Sequence, residues 1–110
     1  MTSIEIATMI ASTGLASAYN HFPEKAAPAL PFICFYYDQP NNFNADNKTY
    51  QKVVSLTIEL YTANKDLTSE AAVESVLAVN ELPYRKSETF IDSENMYLNS
   101  YETEVIFDNG

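Results

Sequence analysis

At 110 residues, with 46% hydrophobic positions, eight tyrosines and six phenylalanines, the chain has material for one globular core and too much of it for intrinsic disorder. Its formal net charge of −9 works against binding to phosphate backbones, which needs clustered Lys and Arg, and against anionic membranes; a solvated acidic surface accounts for it. Cys34 is the only cysteine, which excludes an intramolecular disulfide and suits a reducing compartment.

No apolar stretch approaches the ~18 residues of a membrane span, and the N-terminus lacks the basic start of a signal peptide. The expected location is the cytoplasm of the cell that makes the protein. Ser3 to Thr13 reads as a helix: Thr2 or Ser3 can cap it, Glu5 suits its first turn, and Ile6, Met9, Ile10 and Thr13 form one stripe. Gly14 ends it as the residue that takes positive φ at least cost. A short extended piece is expected over Ala18 to Phe22. Pro23, Pro28 and Pro31 then punctuate a connection that can be neither helical nor central in a sheet.

Pro31 to Tyr37 is apolar and aromatic without interruption, short, and bounded by Pro31 and Asp38, so it reads as a strand covered on both faces. Tyr50 to Thr62 alternates. Tyr50, Val54, Leu56, Ile58 and Leu60 fall on one face, with Gln51, Ser55, Thr57 and Glu59 between them on a wet one. The two segments make a hairpin whose Asn-rich loop, Asp38 to Thr49, is about twelve residues long against the usual 2–5. That loop is the expected working surface.

After a turn at Ala63 to Asp66, Asp66, Thr68 and Ser69 offer N-cap oxygens for a second helix, and Glu70 and Glu74 suit its start. Ala72, Val73, Val76, Leu77 and Val79 give it a broad apolar face, and Pro83 stops it. Tyr84 to Ile91 carries Arg85, Lys86 and Glu88, as an edge strand does. Asp92 to Asn95 is a turn, and Met96 to Phe107 a last strand with Glu102 and Glu104 on one face. The order predicts a single α+β domain over residues 1–110: one mostly antiparallel or mixed β-sheet with two helices packed on one face.

Candidate chemistry is sparse. With only Gly14 and Gly110, the glycine-rich loops of P-loop, Rossmann and α/β-hydrolase sites have no counterpart. His21 is the sole histidine, and nothing positions it against Cys34 as a nucleophile pair; a zinc site needs more Cys and His. Asn42, Asn44, Asp46 and Asn47 resemble the opening of a calcium loop, but the bidentate acid due at its end falls on Val53, so turn chemistry is the better account. Asn47-Lys48-Thr49 matches a glycosylation sequon without a secretory signal. Phe43, with Asn on both sides, is either tucked against the sheet or held out as an anchor. We therefore expect no catalytic residue, cofactor or metal, and a partner contact carried by Asn42, Phe43, Asn44, Asp46, Asn47 and Tyr50.

Leu30-Pro31-Phe32-Ile33, Asn41-Asn42-Phe43 with Ala45-Asp46-Asn47 and Tyr50, and Glu59-Leu60-Tyr61-Thr62 with Lys65-Asp66 resemble a family of small phage and prophage proteins of Gram-positive bacteria. Gly14-Leu15 with Tyr19 and Phe22, Tyr84 with Lys86 and Glu88, and Ser93-Glu94 with Tyr97 and Tyr101 extend the likeness over nearly the whole chain. It departs from the pattern at Ala16, where a proline is expected, and in the long Pro23–Pro31 connection. The family looks like tail terminators, also called tail completion or minor capsid proteins. The resemblance implies a small α/β domain assembling as a hexameric ring between tail tube and head connector. It also implies contacts with itself, with the tail tube protein and with the head–tail connector protein, in the virion and, during assembly, in the host cytoplasm. No sequence-specific nucleic acid binding and no membrane contact are expected, although DNA can pass an acidic lumen. The alternatives are a small cytoplasmic protein-binding module without catalysis and another component of the head–tail connector.

Overall fold

The computed structural model describes residues 1–22, 27–37 and 52–107. Its elements run α1 (Ser3–Ala11), β1 (Ala16–Tyr19), β2 (Phe32–Tyr37), β3 (Lys52–Thr62), α2 (Leu67–Val79), β4 (Tyr84–Ile91) and β5 (Met96–Phe107). The five strands form one sheet in the order β1-β2-β3-β5-β4. β1 runs parallel to β2, and the other three pairings are antiparallel, so the fold is α+β with a mixed, mostly antiparallel sheet.

Local chemistry sets the boundaries. Thr2 caps α1 through a capping box: its hydroxyl accepts from the Glu5 amide at 3.1 Å, and its own amide donates to the Glu5 carboxylate at 2.9 Å. Gly14 takes φ +84, where a Cβ would meet no neighbour, so the demand for glycine is conformational alone. The following strand begins at Ala16, two residues before the expected Ala18, and stops at Tyr19 because Asn20 turns to positive φ. Asp66 caps α2, accepting from both the amide and the hydroxyl of Ser69. That helix ends at Val79, and Glu81 takes positive φ just before Pro83.

Period-2 alternation divides the sheet into two faces. Ile33 and Phe35 of β2, Val54, Leu56, Ile58 and Leu60 of β3, and Tyr101 and Val105 of β5 lie on one of them. All are buried and share one core cluster with Ile6, Met9 and Ile10 of α1 and Val73 and Leu77 of α2. Full burial of each large aliphatic side chain is worth about 1.5–3 kcal/mol. The apolar face of α2 is narrower than its composition suggests: Val79 is 77% exposed, while Ser69 and Glu70 are buried in its place.

The outer face is less wet than simple alternation implies. Phe22 stacks edge-on against Phe32 at 5.2 Å between centroids, and Phe32 meets Tyr61 at 5.3 Å. Cys34 and Thr57 are buried on this face, so β2 is covered on both sides at its centre. Further along, Val53 and Ile106 stand opposite one another and exposed.

Candidate functional site

β4 is the last strand of the sheet. It pairs with β5 along one side and with no described strand along the other. Seven of its eight residues are exposed. The strand is rich in polar side chains because neither face is fully covered, and an open edge of this kind presents unpaired N–H and C=O groups to any chain that can complete the ladder.

What holds so exposed a strand in place is an ionic brace beneath it. Lys86, on the core side of β4, donates to Glu70 and to Glu74 of α2, each at 2.7 Å. Glu70 is only 3% exposed and takes a second contact from Lys65 at 3.0 Å. Burial pushes the Glu70 carboxyl upward, but the hydrogen bonds from Lys86 and Lys65 outweigh it and hold the group below its ordinary value. Hydrogen bonds to Glu70 and then Glu74 hold the Lys86 ammonium well above its own. Tyr101 on β5 donates its hydroxyl to Glu74 at 2.9 Å, and Lys86 sits over the Tyr101 ring at 5.6 Å. Lys65 also reaches both carboxylate oxygens of Glu88 at 3.0 Å. α2, β4 and β5 are thus tied by one network.

Rings extend the brace along the strand. Tyr84 lies edge-on to Tyr101 at 5.5 Å, and Phe90 to Tyr97 at 4.9 Å. Both Tyr84 and Phe90 keep a large exposed surface. On the outer face, Arg85 lies 3.6 Å from Glu102, both exposed, which makes a weak pair in water. A groove beside it runs between Ser55, Tyr84, Arg85, Glu102 and Glu104. Glu102 and Glu104 lie on the same solvated face.

A second polar cluster lies on the outer face of β2 and β3. Glu59 accepts from the Tyr61 hydroxyl at 2.8 Å and from the Tyr36 hydroxyl at 3.3 Å. It stands opposite Cys34 in the ladder. Burial, then the nearby Glu59 charge, push the Cys34 thiol up, the opposite of what a nucleophilic thiolate requires. His21 is exposed, with Nδ1 3.0 Å from the Phe22 carbonyl. Among the described residues, no group of three His, Cys, Asp or Glu side chains could hold a metal ion, and no helix is long and apolar enough to cross a membrane.

The contact residues expected from sequence, Asn42, Phe43, Asn44, Asp46, Asn47 and Tyr50, lie outside the described residues, as does the sequon at Asn47. The edge strand falls on the predicted span, Tyr84–Ile91. The brace joins residues far apart in the sequence. Its visible signal was the spacing of Glu70 and Glu74, one helical turn apart, with Lys86 on the core parity of the neighbouring strand. No family model matches the chain, and no curated protein or solved structure matches it either.

Proposed function

We propose that this protein is a phage or prophage virion component of the head–tail junction, a tail terminator that caps the tail tube as a ring and joins it to the head connector. The observation that carries the reading is the β4 edge: an eight-residue outer strand, exposed over seven residues yet tethered from below by the Glu70–Lys86 brace. A closed ring needs heterologous contacts, in which one patch on a subunit meets a different patch on its neighbour. An open edge supplies one such patch through its backbone. The segment Phe43 to Tyr50 is proposed as the other.

The family resemblance supplies the viral assignment, and the charge suits it. A net charge of −9 on a ring subunit favours a lumen that DNA passes without sticking. A protein without catalysis is the simplest use of an edge strand and the polar, Asn-rich segment between β2 and β3.

The test is the native mass of the purified chain, alone and with tail tube protein. Small species alone and a ring on tube ends support the reading; a mass that ignores the tube overturns it. Phe43→Ala combined with Asp46→Ala should leave the chain folded and yield tails that do not join heads. Normal titre from that double variant would remove this segment from the contact.

A further inference from the structure

We infer that the free edge of β4 pairs with the same edge of a second copy of this chain, antiparallel and two-fold symmetric about Ser87. Three observations on the strand converge on that register. First, Ile91 and Met96 face each other across the four-residue turn, in which the Glu94 amide donates to the Ile91 carbonyl and Asn95 takes positive φ. A pair that closes such a turn exchanges hydrogen bonds, and antiparallel ladders alternate bonded with non-bonded pairs. Arg85, Ser87, Thr89 and Ile91 therefore spend their backbone groups on β5. Tyr84, Lys86, Glu88 and Phe90 direct theirs outward.

Second, the outward set is chemically self-complementary. Reading from Ser87 in both directions gives Lys86 and Glu88, then Arg85 and Thr89, then Tyr84 and Phe90. With Ser87 on the two-fold axis, Lys86 of one copy stands opposite Glu88 of the other, and Tyr84 opposite Phe90, each twice. Those are the residues whose backbone groups meet no strand among the described residues, so each pair exchanges ladder bonds while its side chains match charge with charge and ring with ring. A slip of two residues in pairing puts Lys86 opposite Lys86 or Glu88 opposite Glu88, which like charges oppose. A slip of one sets a core-face residue against an outer-face residue and breaks the continuity of the sheet.

Third, the side chains involved have surface left to give. Tyr84 and Phe90 are exposed at 39% and 42% although each already touches a ring of β5. The Lys86 and Glu88 side chains are each about one-third exposed while engaged in the brace. Pairing extends the brace across the axis instead of dismantling it.

The two-fold contact and the proposed ring need the same edge, so they exclude one another. The dimer is the state of the free subunit, and it protects an aggregation-prone edge until a tube end competes for it. It stands or falls without the viral reading, because its test uses the purified chain alone.

Mass measured over a concentration series should show a dimer that dissociates on dilution. Ser87 is exposed and lies on the axis, so Ser87→Lys should give a folded monomer, with an unchanged far-ultraviolet circular dichroism spectrum. Non-bonded antiparallel pairs bring Cα atoms to about 4.5 Å, within disulfide range. Ser87→Cys should therefore cross-link two copies under mild oxidation. Thr89→Cys should not, since its own copy lies about 13 Å away along the strand in this register; the wild-type chain, with Cys34 buried, serves as the blank. A wild-type chain that stays monomeric throughout the series overturns the inference. So does equal cross-linking at positions 87 and 89, or a Ser87→Lys variant as dimeric as wild type.

Discussion

The two halves of the sheet's core face are made differently. Over β2 and β3 it is apolar, with Ile33, Phe35, Leu56, Ile58 and Leu60 meeting the buried residues of the helices. Over β5 and β4 it turns polar: Asn99 opposes Leu60, Lys86 opposes Tyr101, and Glu70 and Glu74 approach from α2. The apolar half supplies stability that depends little on pH or salt. The polar half supplies position, because a network of charges and hydrogen bonds fixes where β4 lies without covering it. An ionic brace places an edge strand accurately and leaves it bare, where an apolar layer would bury it.

Breaking the apolar half should have the largest effect. Leu56→Ala or Ile58→Ala should cost roughly 2–5 kcal/mol in denaturant unfolding, the range for truncation of a fully buried aliphatic side chain. The loss should be the same at pH 7 and at pH 4. A loss under about half a kcal/mol would mean that the two faces of β3 had been exchanged.

Breaking the polar half comes next. Lys86→Met should cost about 2 kcal/mol, less than stripping a fully buried ion pair, since the Lys86 side chain is one-third exposed and Lys65 still reaches Glu70. This half should also respond to acid. The Glu70 carboxyl is held below its ordinary value of 4.5 in the folded state, so its contribution is fully present above pH 4.5. It is lost as pH falls below 4.5 and through the lower folded value. The gap in stability between wild type and Glu70→Gln should narrow over that interval, read from unfolding midpoints at successive pH values; a constant gap would contradict the brace.

Smaller effects sharpen the contrast. Asp66→Ala removes the acceptor for two Ser69 donors and should cost about 1 kcal/mol as a lost N-cap. Arg85→Ala should change stability by less than about 0.5 kcal/mol, because Arg85 and Glu102 pair in water. A clear melting shift for Arg85→Ala would place that pair among the structural contacts.

Much of this fold was legible because the period is strong where one face is apolar. Val54 to Leu60 declared its inner face through alternation, and Tyr84 to Ile91 declared itself an edge through Arg85, Lys86 and Glu88. Two features were hidden, for different reasons. Glu70 reads as a solvated first-turn acid until Lys86, sixteen residues later, is folded against it. Thr57 reads as wet, yet it is buried on the outer face among neighbours that include Tyr36, opposite it on β2. Both depend on pairings across the fold that no local pattern records. The edge of the candidate site could be read from sequence; the brace that places it could not.

The decisive measurement is amide hydrogen exchange along β4, in the dilute free chain and in the chain mixed with tail tubes. The Tyr84, Lys86, Glu88 and Phe90 amides should exchange fast when free and slow on assembly. Those of Ser87 and Thr89, already bonded to β5, should change little. Identical rates for all β4 amides in the two states would show that the edge takes no part in assembly and would contradict the account.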